Sequence, residues 1–214
     1  MYPILSLAAI GGAIKERGHT FRIVDLSYRR YDPDLLRSVI CEERPDVVGI
    51  TATTPLMNQA RDLSFLVKDI DPDIVTIAGG AHPSALPQES LEESALDLVA
   101  CGEGDDVVAH LLDGRRPTDV AGLWVRTADG IVSTGPAGLR EDLDSLPMPA
   151  WENYPAEAKT AASKLLARNL PVTSIEFSRG CIYSCDFCAS KNTMGRGYRK
   201  KSPQRCADEL ERLA

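Results

Sequence analysis

Between residues 33 and 112, short runs of Val, Ile and Leu alternate with stretches of helical apolar spacing. This alternation narrows the choice of fold more than any other feature. Pro33–Arg44 reads as a helix and Asp46–Thr51 as a strand; Leu56–Ile70 as a helix and Ile74–Gly80 as a strand. Leu86–Ser94 then precedes the strand-like Leu96–Ala100, and Asp105–Leu112 closes the series. Ahead of it, Leu5–Arg17 has helical spacing ending at Gly18-His19, and Phe21–Leu26 reads as a buried strand. The strands are apolar on consecutive residues, as strands covered on both faces are, and helices between them make the sheet parallel. The expectation is an α/β chain whose residues 1–118 form a doubly wound, Rossmann-like parallel sheet. A first strand is expected ahead of the Leu5 helix, so the central strand of that sheet reads as missing.

Open parallel sheets bind ligands at the carboxyl ends of their strands. Thr51-Ala-Thr-Thr54 follows one expected strand, Gly79-Gly80-Ala-His82-Pro83 the next, and Gly102-Glu103-Gly104-Asp105 a third. Each has an ordinary explanation: a Gly-Gly turn, hydroxyls capping the next helix, glycines supplying unusual backbone angles. On one edge together they point to a long ligand spanning several loops.

The chain carries a net charge of −7, which argues against nonspecific nucleic-acid binding. Its longest apolar stretch, residues 2–14, is too short for a membrane span and lacks the basic start of a signal peptide. A reducing cytoplasmic location is expected.

The strongest chemical motif is Cys181-Ile-Tyr-Ser-Cys185-Asp-Phe187-Cys188, which follows the strand-like Thr173–Phe177 and the turn residue Gly180. Its Cys-x3-Cys-x2-Cys spacing lets one short loop present three thiolates to a single 4Fe–4S cluster, leaving one iron open for another ligand. Zinc is the alternative, but it prefers four ligands in paired Cys-x2-Cys units, and the next thiol, Cys206, lies in an expected helix. Three cysteines are too many for one disulfide. Cys41 and Cys101 read as small buried residues, His110 as structural, His19 as a helix-end residue and Trp151 as a packing residue.

Gly122–Arg126 and Ile131–Thr134 around Asp129-Gly130 read as a hairpin, within a connector of residues 119–170. Beyond the cysteines, Ser202 is expected to cap a helix that has Pro203 in its first turn and runs to Leu213. Arg199, in the basic stretch 196–201, reads as part of a solvated face or as a holder of an anionic group.

The three-cysteine loop with Phe187 just before its last cysteine resembles the radical S-adenosylmethionine enzymes. Nearly the whole chain is similar to the members of that family that carry a cobalamin-binding domain. The resemblance rests on Glu16-Arg-Gly-His19 with Asp25, Gly49–Thr53, Gly79–Pro83, Gly102-Glu-Gly104, Glu141–Pro147, the cysteine loop, Tyr198-Arg199 and Ser202-Pro203. It implies S-adenosylmethionine bound at the open iron, with Phe187 beside its adenine, and reductive cleavage to a 5′-deoxyadenosyl radical. It also implies cobalamin, whose nucleotide tail Thr51, Thr53, Gly79 and Gly80 would line, with His82 and Glu103 as further candidates. Many cobalamin modules carry an Asp-x-His-x-x-Gly motif; the chain has Tyr2-Pro-Ile-Leu-Ser-Leu7 instead. Cobalt would then take no histidine from that loop, or the domain keeps the fold without the cofactor.

On this resemblance residues 171–214 begin a radical-enzyme partial (β/α) barrel, truncated after its first βα unit. The expected activity is methyl transfer to a carbon of a small-molecule substrate, with flavodoxin or ferredoxin as reductant and with the 214-residue segment inactive alone. Radical cyclisation or rearrangement, a non-catalytic corrinoid module with a structural metal loop, and a zinc-stabilised regulatory module are the alternatives. No catalytic residue is singled out.

Overall fold

A computed structural model describes residues 3–161 and 171–213; residues 162–170 of the expected connector lie outside the described residues. The chain divides into two compact units, one of residues 31–139 with 181–196, the other of residues 1–30, 140–180 and 197–214.

The first unit is built on a five-stranded sheet. Strands β1 (Val47–Thr51), β2 (Val75–Gly79) and β3 (Leu98–Ala100) are parallel, in that order. The register is in phase: Val47 lies opposite Val75, Thr51 opposite Gly79, and Ile77 opposite Leu98. β4 (Leu123–Thr127) and β5 (Gly130–Ser133) then extend the sheet with antiparallel pairs, Val99 facing Trp124 and Val125 facing Val132. The hairpin expected as a separate connector thus completes the sheet. Its two-residue turn is Ala128-Asp129, one residue earlier than the Asp-Gly pair suggested, because Gly130 pairs with Thr127 as the first residue of β5, with φ +126°.

Both faces of the sheet are covered, as the continuous apolar runs require. On one face Ile77, Leu98, Ala100, Leu123 and Val125 pack with Val107 of α6 (Gly104–Leu112). On the other, Ala78 and Val99 pack with Leu91 of α5 (Pro87–Glu92) and, more peripherally, Met57 of α3 (Met57–Ile70). α2 (Pro33–Glu43) buries Leu36 and Ile40, one turn apart on one stripe, with Ile40 against Val67 and Ile74. Asp32 caps α2 by accepting from the Leu35 N–H, and Pro33 occupies its first turn. Fully burying an aliphatic side chain such as Leu91, Leu96 or Val99 stabilises by about 1.5–3 kcal/mol. The same stripe leaves Cys41, expected as buried, exposed on the opposite side of α2.

Two short helices of this unit were not legible in the sequence. α4 (Ala81–Ala85) occupies residues read as a loop, and α8 (Ser190–Met194) follows the cysteines. The hairpin is stitched down by Arg126, whose guanidinium donates to the carbonyls of Leu91, Ser94 and Leu96 and so satisfies the end of α5.

The second unit contains α1 (Leu5–Glu16), α7 (Ala156–Thr160), the two-residue ladder of β6 (Ser178–Arg179) with β7 (Arg199–Lys200), and α9 (Pro203–Glu211). Phe21–Leu26, expected as a strand, forms no ladder among the described residues. Its apolar side chains Phe21 and Ile23 instead join Ala8, Trp151 and Tyr154 in a small core. Asp25 is 2% exposed there and accepts from the Tyr154 hydroxyl at 2.5 Å and the Ser27 N–H. Burial and that carboxylate together push the Tyr154 phenol upward. The strand expected at Thr173–Phe177 is displaced toward the cysteines: only the Phe177 carbonyl joins the ladder, through Lys201, ahead of the paired Ser178 and Arg179.

Polar contacts join α9 to the segment 141–147. Ser202 caps α9 through the Arg205 N–H, as expected, and its own N–H donates to Asp144. The Ser202 hydroxyl and N–H hold the Asp144 carboxyl below its usual range, with smaller help from Arg205 and Lys201. Arg205 donates to the Asp144 and Pro147 carbonyls and to Glu209. Glu209 is 4% exposed and also accepts from Lys201 at 2.7 and 2.9 Å. Removing one partner of a buried ion pair leaves the other charge uncompensated. Glu209→Ala is therefore expected to lower stability by about 3–5 kcal/mol. Lys201→Met with Glu209→Gln, which removes one charge of each sign and keeps an acceptor for Arg205, should recover part of that loss, as read by urea unfolding of the two variants.

Candidate functional site

The in-phase parallel register brings the carboxyl ends of β1, β2 and β3 to one edge, and three of the expected site segments begin there. Thr51 ends β1 opposite Gly79, the last residue of β2. The two turns are tied by backbone bonds: the Ala52 N–H donates to the Gly79 carbonyl and the His82 N–H to the Ala52 carbonyl.

The two glycines differ. Gly80 has φ +100° and ψ −170°, a region essentially restricted to glycine, and a Cβ there would lie 2.9 Å from both the Ala52 carbonyl oxygen and Thr51 Oγ1. The approach of the neighbouring turn alone therefore requires glycine at 80. At Gly79 an added Cβ would meet nothing nearer than the Ala100 carbonyl oxygen at 3.7 Å, an ordinary contact. Close packing within the protein does not demand glycine there.

Thr53 is exposed and stands just before the single turn Thr54–Leu56, yet its hydroxyl makes no capping bond. The capping explanation offered for it from sequence therefore does not apply. Glu103 is half-buried ahead of α6 and likewise gives no side-chain cap. His82 is 8% exposed, its Nδ1 is 3.2 Å from Thr54 Oγ1, and its Nε2 is 4.0 Å from a Glu89 oxygen. His82, Thr54, Arg61, Glu89 and Glu93 line a polar cavity of about 160 Å3, whose wall includes none of Thr51, Thr53, Gly79, Gly80 or Glu103. The fold thus brings the candidate residues to neighbouring turns, with the His82 imidazole placed between Thr54 and Glu89.

Ser84 escaped the sequence reading. Its hydroxyl accepts the Gly102 N–H at 3.1 Å, joining α4 to the turn after β3. A serine inside a Gly-Gly-Ala-His-Pro-Ser run carries no pattern that marks this role. Cys101, half-buried beside that turn, has its thiol pushed up to about 11 by burial, which keeps it protonated and unreactive.

In the cysteine loop, Cys181 and Cys188 are half-buried and Cys185 is exposed; all three are free thiols. Cys181 bridges to Arg196, and the Cys188 N–H donates to the Cys185 carbonyl, closing a turn around Asp186 and Phe187. The Ser190 hydroxyl, 3.0 Å from Cys188 Sγ, holds that thiol below its ordinary range, favouring its thiolate form. Among the described residues no three His, Cys, Asp or Glu side chains are gathered to hold a metal ion. The donors nevertheless suit an iron–sulfur cluster: three unpaired thiols on one eight-residue loop. Ile182, Tyr183 and Phe187 between them are 72%, 70% and 92% exposed, so few contacts oppose an inward turn of the thiols. Arg199 is buried and donates to the Arg140 carbonyl, which places it inside the protein rather than on a solvated face. Trp151 packs on Tyr154 with ring centroids 5.1 Å apart, as expected of a packing residue.

An uncharacterized methyltransferase of Pyrococcus horikoshii is 29% identical over 99% of the chain, and the anaerobic magnesium-protoporphyrin IX monomethyl ester cyclase of Rubrivivax gelatinosus is 32% identical over 99%. The chain spans 46% and 39% of those two proteins, less than half of either. The radical S-adenosylmethionine methyltransferase TsrM of Kitasatospora setae, solved with cobalamin and a [4Fe–4S] cluster bound, shares the fold. Its TM-score is 0.73 at 22% identity, over 99% of this chain and 43% of that one. The model of the B12 binding domain matches residues 2–112. The alternating elements, the loops gathered at the strand ends and this match over more than half of the residues agree: the chain belongs to the B12 binding domain family.

Proposed function

We propose that the chain supplies the cobalamin-binding and cluster-binding parts of a radical S-adenosylmethionine enzyme that transfers a methyl group to a carbon of a small-molecule substrate. One observation carries this reading: a B12 binding domain and, after it in the same chain, a Cys-x3-Cys-x2-Cys loop of free thiols. Residues 1–118 would form the cobalamin-binding domain, 119–170 the connection, and 171–214 the start of a partial barrel.

In this reading Cys181, Cys185 and Cys188 hold a 4Fe–4S cluster and leave one iron for S-adenosylmethionine, with Phe187 against the adenine. Thr51, Thr53, Gly79 and Gly80 line the nucleotide tail of cobalamin, flanked by His82 and Glu103. When bound, these groups supply an adenosyl radical and a transferable methyl group; the chain's residues bind, orient and shield them. No histidine of the first loop would reach cobalt. Flavodoxin or ferredoxin would be the electron donor, and neither nucleic acid nor membrane a partner. The expected setting is the reducing cytoplasm; no described helix is long and apolar enough to cross a membrane. The cyclase of Rubrivivax favours a second reading, radical ring closure in place of methylation. The two part on whether the product gains a methyl group. A corrinoid-binding module whose cysteine loop is only structural would cleave no S-adenosylmethionine.

After anaerobic reconstitution of the intact polypeptide, alanine at Cys181, Cys185 or Cys188 should each abolish most of the bound iron and the 5′-deoxyadenosine released under reduction. Alanine at Cys41, Cys101 or Cys206 should leave both near wild type. Unchanged iron in the Cys185 variant refutes the ligand assignment. The 214-residue segment alone is expected to take up iron but to release little 5′-deoxyadenosine, since one βα unit does not enclose a radical.

The glycine pair gives a separate test of cobalamin. Gly79→Val is expected to abolish cobalamin uptake read by visible absorbance, with the melting temperature of the cofactor-free variant measured alongside to establish that it folds. Gly80→Ala should lower stability by about 1–3 kcal/mol with or without cobalamin, because its backbone conformation excludes a side chain. Full uptake by a well-folded Gly79→Val variant excludes that edge as the cobalamin site.

A further inference from the structure

α4 stands between two candidate cofactor segments of the same unit. At its start, Gly80 packs against Thr51 and Ala52, and the Ser84 N–H donates back to the Gly80 carbonyl at 3.1 Å. Along its side, α4 packs against α8, the helix that begins two residues after Cys188. The turn after β3 touches the same helix: a Cβ on Gly102 would lie 3.6 Å from the Thr193 carbonyl oxygen. Gly102 turns the chain with φ +84°, and its N–H, which has to be paired once buried, donates to Ser84 Oγ. Ser190, the first residue of α8, is the residue whose hydroxyl meets Cys188 Sγ.

We propose that Ser84 is a positioning residue for the cysteine loop: by fixing the Gly102 turn against α8, its hydroxyl holds the segment that carries Ser190 and Cys188. The inference rests on reading Cys181, Cys185 and Cys188 as cluster ligands, and it adds a residue that touches neither cluster nor thiol. It also links the loops at the strand ends to the cysteine loop through a contact chain within one unit, Thr51 and Ala52 to Gly80, α4, Gly102 and α8. An alanine at 84 leaves the Gly102 N–H unpaired beside α8. The loss of one such bond shifts a local opening equilibrium by about five-fold.

The test compares Ser84→Ala and Ser84→Thr in the intact polypeptide by hydrogen exchange without iron, then by the rate of iron loss to a chelator after anaerobic reconstitution. In the alanine variant, amides of residues 189–194 should exchange about five-fold faster while those of β1 and β2 stay at wild-type rates. Iron should leave about five-fold faster as well, and threonine, which keeps the hydroxyl, should restore both. Unchanged exchange at 189–194, a uniform rise across the sheet, or faster exchange with unchanged iron loss each overturns the proposal. Should Ser84→Ala not fold, Ser84→Cys, which keeps the shape but replaces the hydroxyl by a weak acceptor for the Gly102 N–H, is read in the same two measurements, with the same expected direction and the same refutation. A wild-type chain that takes up no iron overturns the cluster reading; the exchange measurement still decides whether Ser84 holds α8.

Discussion

The in-phase parallel pairing of β1, β2 and β3 is the constraint on which the site depends. Parallel strands in register end at the same edge, so the residues after Thr51, Gly79 and Ala100 are neighbours although far apart in sequence. A one-residue slip of β2 would turn Ile77 and Ala78 to the wrong faces, exchanging the layer packed by Val107 with the layer packed by Leu91. The two distinct cores therefore set the register, and the register sets the edge. The antiparallel hairpin β4–β5 continues the sheet beyond β3, where Arg126 ties it to the end of α5.

At that edge the turns are held by one another. Gly80 lets the turn of β1 approach within van der Waals distance, the His82 and Ala52 N–H groups close the gap, and Ser84 reaches across to Gly102. The result is a fixed rim in which Thr53 lies exposed while His82 is engaged with Thr54. The chemistry proposed for the rim needs a preformed surface, since a ligand that had to order these turns would lose affinity to that ordering.

The second unit is organised by charge more than by apolar bulk. Glu209 collects Lys201 and Arg205, and Arg205 and Ser202 in turn fasten the 141–147 segment to α9. Asp25 is held in the interior by hydrogen bonds from Tyr154 and Ser27. Such groups specify one arrangement because any other leaves a buried charge or donor unpaired.

Local pattern was enough to place α2, α3, α6 and α9, the three parallel strands and the Ser202 cap, because helix stripes, apolar runs and capping residues act over a few neighbours. It also marked the spacing of Cys181, Cys185 and Cys188 and the small-residue turns, whose chemistry resides in the residue types themselves. Tertiary structure alone decided that the hairpin joins the sheet, that Phe21 and Ile23 pack with Trp151 and Tyr154 rather than in a ladder among the described residues, and that Cys41 is exposed. It alone separated Gly80, required by a neighbouring turn, from Gly79, which is not. Ser84 belongs with these: its partner Gly102 lies 18 residues away, and no local pattern reports which distant N–H a hydroxyl will meet once three strands have been laid side by side.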